Sequence, residues 1–321
     1  MNLQLPVVCC AMLAVLGSAV GCDSKDGRSS ADAEREATAD GPAEPTRGGV
    51  LDVTAQDFAF DAPGEIPSGW TTVRMRNAGQ QEHFLYLYRL PDHVTYQTFQ
   101  EEFNPAFGSI WEAYASGTID RAAAEARFGE ELPEWFLADI VPAGGPAITE
   151  PGETAETIVR LEPGTYVMEC YVKTPEGTWH TELGMQRRLV VTDASNDASP
   201  PSADTELVIT NYAITGPAEL PAGKHTIAVR IEEDPEGFML HDVNLFRLDD
   251  DTKVNEIVRW MDWMDLEAGF RAPAPGYSLG GVEHMTAGRT GYATVELTPG
   301  DYAWVSEGYA ARGAVLEFVV R

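Results

Sequence analysis

Cysteine is scarce in this chain. Of the four present, three stand at positions 9, 10 and 22, and Cys170 is alone in the remaining body. A disulfide framework needs pairs, so none is expected there, and the single thiol needs another explanation. Basic residues are few as well, with 22 Lys and Arg against 51 Asp and Glu and a net charge of −29. Nucleic acid and anionic membrane surfaces both reward clustered positive charge, so neither is expected as a partner. Histidine occurs six times with no His-x-His pair, too few for a cluster of several metal ions. No serine-nucleophile motif, phosphate loop or zinc-protease motif is present, so a hydrolase has no support.

Residues 3–21 are largely apolar and uncharged, and Cys22 is followed at once by Asp23, Ser24, Lys25 and Asp26. A short apolar stretch ending in small residues reads as a secretory signal and not as a membrane span. Ala19-Val20-Gly21-Cys22 resembles a bacterial lipobox. That resemblance implies a lipoprotein signal peptide over 1–21, lipidation of Cys22, and a lipid-anchored protein of the bacterial cell envelope on a periplasmic or extracytoplasmic face. The membrane would then be met through the N-terminal anchor alone. Residues 22–48 are rich in Ser, Ala, Asp and Glu without a large apolar residue, a composition that reads as a disordered tether. A second linker, DASNDASPPSAD, covers 193–204.

The segments between and after these linkers, 49–192 and 205–321, are related. TTVRMRN matches HTIAVRI, HFLYLYRL matches HDVNLFRL, LEPGTYVMEC matches LTPGDYAWVS, and GMQRRLVV matches GAVLEFVV, all in the same order. Matching blocks in one order amount to an internal duplication. Each block alternates as strands do, with Glu162-Pro163-Gly164-Thr165 as a turn, so an all-β chain with one sandwich per repeat is expected. Each repeat also carries a helix-forming insertion. The first, 95–138, contains DRAAAEARFG with Asp120 as N-cap and Gly129 as the stop; the second spans 254–270. Phe99, Phe103, Trp111, Trp135, Trp260 and Trp263 read as residues docking these insertions on the sandwiches.

In the first repeat, Asn77 to Glu82 form a turn that delivers His83 to the start of a strand. The strand TYVME ends at Cys170, a loop carries His180, and Met185 precedes the next strand. Two imidazoles, a thiol and a thioether therefore fall at one end of the sandwich. A His2Cys plane with a weak Met is the ligand pattern of blue copper electron-transfer sites. Zinc accepts Cys and His, but Met suits it poorly.

The N-x-G…H turn and the PGTYxxxC…H-x4-M tail resemble the cupredoxins, the type 1 copper family. The resemblance covers most of 49–192 outside the insertion. It implies Greek-key sandwiches and one type 1 copper ion held by His83, Cys170, His180 and Met185. Nine residues separate Cys170 from His180, a longer loop than in the small members of that family. In the second repeat His241 matches His83, but Ser306 stands for Cys170 and Ala314 for Met185, so 205–321 is expected to keep the sandwich and bind no copper. His225, His284 and Met285 match no ligand position and read as surface or packing residues, and His93 as surface. The expectation is a non-enzymatic one-electron carrier whose redox partner the sequence does not identify. The alternative is a non-redox binding module built from two sandwiches, with copper absent or structural.

Overall fold

Alternation sets the strands. In TTVRMRN, Thr71, Val73, Met75 and Asn77 turn inward while Arg74 and Arg76 face water. In HTIAVRI, His225, Ile227, Val229 and Ile231 do the same. The computed structural model describes residues 49–236, 239–249 and 251–321. The expected signal segment, lipidated Cys22 and tether lie outside the described residues.

Two sheets form the body, and each runs through both repeats. The first has the order β2 (Ala59–Asp61), β1 (Val50–Gln56), β3 (Glu65–Asn77), β6 (Thr154–Leu161), β15 (Thr290–Leu297), β12 (Gly223–Ile231), β9 (Thr205–Thr210), β10 (Ala213–Thr215). The second has the order β8 (Gln186–Ser195), β7 (Gly164–Glu169), β4 (Tyr86–Arg89), β5 (Val141–Gly144), β14 (Tyr277–Met285), β13 (His241–Leu248), β16 (Gly300–Val305), β17 (Val315–Val320), with the short β11 (Glu219–Leu220) along the outer side of β17. The order within one repeat is mirrored in the other. The repeats meet through antiparallel β6–β15 pairing, with Thr157 opposite Ala293, and through Ala143 opposite Met285.

Between the sheets of the first repeat Leu51, Val53, Val73 and Met75 pack with Leu87, Val167, Leu189 and Val191. In the second, Leu207, Ile209, Ile227 and Val229 pack with Val243, Leu245, Trp304 and Phe318. The all-β expectation with a sandwich and a helical insertion per repeat therefore holds. The PGTY and PGDY turns also match. Tyr166 donates its hydroxyl to the Glu162 carbonyl at 2.8 Å, and Tyr302 donates to the Thr298 carbonyl at 2.9 Å.

The insertions depart from expectation in their bounds. The first holds three helices, α1 (Tyr96–Ala115), α2 (Arg121–Glu131) and α3 (Glu134–Ala138). Asp120 caps α2 through the Ala123 amide at 2.9 Å, as expected. The helix nevertheless runs through Gly129 and stops before Leu132, because Pro133 disfavours helical backbone at the residue preceding it. In the second insertion only α4 (Val254–Trp260) is helical. Beyond it the Asp265 carboxylate accepts from the amides of Glu267 and Ala268, an alternative to the helical ladder. Phe99, Phe103, Trp111, Trp135, Trp260 and Trp263 are all buried against the body, which is the docking role read from the sequence.

Candidate metal centre

The turn before β4 is built around Asn77. Its side-chain amide donates to the carbonyls of Gln81 (2.8 Å) and Thr149 (2.9 Å), and its oxygen accepts from the Gly79 amide (2.9 Å). His83 exchanges backbone bonds with Thr149 on the neighbouring segment. Its imidazole is thus delivered to one end of the sandwich at a fixed height. A side chain at position 79 would crowd it: a Cβ there would lie 2.3 Å from Asp57 Oδ1 and 2.7 Å from His83 Nε2. Glycine is required by that close approach.

Cys170 leaves β7 and Met185 enters β8, and the two are joined by Cys170 N–H donating to the Met185 carbonyl at 3.2 Å. His180 donates its amide to Val172 and accepts from the Met185 amide. His83, Cys170, His180 and Met185 are all fully buried. Cys170 Sγ lies 3.7 Å from His83 Nδ1 and 3.6 Å from His180 Nδ1. Met185 is bound into the same loop through its backbone.

Both rings are turned by partners outside the cluster. His83 Nε2–H donates to Asp57 Oδ1 at 2.8 Å, and His180 Nε2–H donates to Gln81 Oε1 at 3.1 Å. Asp57 is itself fixed, because its Oδ2 accepts from the Gln80 amide. With Nε2 carrying the proton, each Nδ1 presents its lone pair to the sulfur, as in metal sites where an outer acceptor sets the tautomer. Both rings are held neutral. Burial lowers His83 against the opposing pull of Asp57, and burial with the nearby His83 lowers His180 to about 3.

Burial also pushes the Cys170 thiol well up, with the amides of Phe84 and Val172 opposing. One S–H proton cannot satisfy two imidazole lone pairs, so the pocket holds more electron pairs than protons. A soft cation answers that imbalance and favours the thiolate. The spacing fits as well. A metal bonded at about 2.3 Å to sulfur and about 2.0 Å to nitrogen in a trigonal plane places N and S about 3.7 Å apart, against the observed 3.6 and 3.7 Å.

The long Cys-to-His loop is pinned by the second repeat. Lys173 pairs its backbone with Phe270 and Ala272, and its buried Nζ donates to the carbonyls of Trp263 (2.7 Å) and Gly269 (2.8 Å). Doubling a loop costs only about 0.6 kcal/mol in closure, about what one net hydrogen bond returns. Trp179, beside His180, packs with Trp111 and Trp263.

The second repeat keeps the frame without the ligands. Ser306 N–H donates to the Ala314 carbonyl at 3.0 Å, the counterpart of Cys170 to Met185. His241 is buried with Nδ1 3.5 Å from Ser306 Oγ. His225 and Met285 are buried packing residues, whereas His93 is exposed. Sequence reasoning missed Asp57, Gln81 and Lys173. Their roles arise from contacts across 26, 99 and 90 positions, which no local pattern reports.

No protein-family model matches this chain, and no curated protein does. Among solved structures it is similar to auracyanin A, a "blue" copper protein from Chloroflexus aurantiacus. The identity is 21% and the TM-score 0.27, over 46% of this chain and 99% of that one. An azurin, Az-iso2 from Methylomonas sp. strain J, matches at 11% identity and TM-score 0.28 over 38% of this chain and 98% of its own. A multicopper oxidase matches at 13% identity and TM-score 0.22 over 85% of this chain and 88% of its own. Likenesses this distant decide nothing about the site.

Proposed function

We propose that this chain is a type 1 copper protein of the bacterial cell envelope that accepts and passes on single electrons. The observation that carries this reading is the convergence of two imidazole Nδ1 atoms on one buried thiol at 3.6 and 3.7 Å. Cys170, His83 and His180 would hold the ion, with Met185 as the weaker fourth ligand. When bound, copper supplies a one-electron couple between Cu(I) and Cu(II).

The residues of the chain determine how that couple behaves. Asp57 and Gln81 hold the rings in one tautomer, so no proton needs to move at Nδ1. Phe58 packs on His180 with ring centroids 4.6 Å apart, which helps exclude water. The Asn77 turn and the pinned loop keep the ligand frame rigid, which favours rapid exchange because little must rearrange. The envelope location rests on the N-terminal segment and Cys22. The chain would carry electrons and catalyse no reaction, in keeping with its small histidine complement.

The test is a Cu(II) titration of the full chain followed by visible absorption, beside Cys170→Ser. An intense thiolate-to-copper band that vanishes in the variant supports the reading. A band that survives in Cys170→Ser removes the thiol from the site, and its absence from both proteins contradicts a type 1 centre.

A further inference from the structure

A second group of buried, chemically capable side chains sits where the repeats meet. Asp242 is the second residue of β13, Glu283 and His284 lie on β14, and Glu307 follows β16; all are 1–2% exposed. One ligand atom from each of Asp242, Glu283 and His284 lies within 4.8 Å of the others. His284 Nε2 is 3.3 Å from Glu307 Oε2 and 4.0 Å from Glu283 Oε2. Tyr171 Oη accepts from His284 Nε2 and donates to Glu307 Oε2, both at 2.9 Å.

Two further observations separate this group from an ordinary polar cluster. Glu283 Oε2 and Glu307 Oε1 are buried without any hydrogen-bond partner, and Glu283 Oε2 faces the imidazole. Such an orphaned carboxylate oxygen is costly in a dry site. In addition, His284 Nδ1–H donates to the Leu240 carbonyl at 2.9 Å, which directs Nε2 into the group. A metal-binding imidazole is usually oriented by a bond of that kind.

Charge points the same way. Three carboxylates face one imidazole, and among the described residues no Lys or Arg pairs with any of them. Without a cation the group must retain protons. Burial raises Glu283 well above the carboxylate range and Glu307 to about 7. Burial lowers His284, but the bond to Glu307 and the surrounding carboxylates outweigh it and hold the ring proton up to about 10. A divalent ion can take the place of those protons. The group is reached from a cavity of about 750 Å³ whose lining includes Tyr171, His284, Glu307 and Glu169.

We propose that Asp242, Glu283, His284 and Glu307 form a second metal site for a hard divalent first-row cation of the manganese or iron class. One imidazole with carboxylates suits those ions, whereas the thiolate site suits copper. Tyr171, which touches this group, directly follows Cys170 in the chain, so a single strand end serves both sites. The inference does not depend on copper binding.

The test uses Mn(II), which has little affinity for thiolate and thioether. The full chain is titrated while the signal of free Mn(II) is followed by electron paramagnetic resonance, and melting is recorded with and without the ion. The expected result is one tight equivalent per chain and a higher Tm with Mn(II), both kept in Cys170→Ser. Glu283→Gln and Glu307→Gln should each weaken binding at least tenfold. Gln is the neutral counterpart of a carboxyl that keeps its proton when no cation is present, so the metal-free variants should melt no lower than the parent. Absence of a tight equivalent and of a Tm shift in the parent overturns the proposal. So does binding that persists in both Gln variants, which places the ion on the acidic surface.

Discussion

The Asp57 carboxylate accepts the Nε2–H of His83 at 2.8 Å, and by doing so turns the His83 Nδ1 lone pair towards the sulfur of Cys170. An exposed-side carboxylate thus sets the tautomer of a fully buried ring. Loss of an outer partner of this type typically weakens metal binding 10–100-fold. Asp57→Ala is expected to lower copper affinity by about that factor, read by competition with a chelator, while far-ultraviolet circular dichroism stays unchanged. Unaltered affinity would remove Asp57 from the account.

Gly79 offers a steric test of the same contact. The methyl of Gly79→Ala would meet Asp57 Oδ1 at 2.3 Å and His83 Nε2 at 2.7 Å. Both are part of a packed turn, so the cost is expected at about 1–3 kcal/mol. Denaturant melts should show that loss, and the copper-loaded variant should have a shifted or weakened visible band.

Met185 is fully buried, and its backbone is bonded to Cys170 and His180. Met185→Leu keeps nearly the same volume, so the fold should tolerate it. In the proposed site this would remove the weak thioether while the two imidazoles and the thiolate remain. Copper should stay bound and the potential should rise, measured by redox titration against the parent. A variant that no longer holds copper would show that Met185 is more than a weak fourth ligand.

Lys173 should leave a mark on the pH dependence of stability. Burial, reinforced by the Arg271 charge, lowers its ammonium to about 7, against about 10.4 in an unfolded chain. Between these values the unfolded chain carries a proton that the folded chain lacks. Stability therefore rises with pH from about 7 to about 10, and this contribution is lost again as pH falls back through that window. The Tm difference between pH 7 and pH 10 is expected to become less positive in Lys173→Met. An unchanged pH profile would show that the buried amine is not titrating there.

The β character was legible because alternation is a local pattern, and the approach of Cys170 to His83 and His180 could be read from one turn and one loop. Matching blocks keep their order, and Cys170, His180 and Met185 share one loop. The copy without a thiol was legible too, and Ser306 and Ala314 do occupy the frame of Cys170 and Met185. What escaped was non-local. Asp57 and Lys173 look like two more charges until strand order and the second insertion bring them to the loop. From the sequence alone His284 reads as a surface or packing residue. Its partners Asp242, Glu283 and Glu307 are three among 51 acids, and only pairing of β13, β14 and β16 gathers them. One signal was available: Glu283-His284 interrupts the apolar run of GGVEHM, where a central strand buried on both faces has no reason to place a charge.

Whether one thiolate and two imidazoles of the first repeat hold a single copper ion can be read by X-ray absorption at the copper edge of the loaded full chain. One short sulfur contact and two nitrogen contacts that change little between Cu(I) and Cu(II) are expected. A shell of oxygen and nitrogen alone, with sulfur absent in both states, would contradict that ligand set.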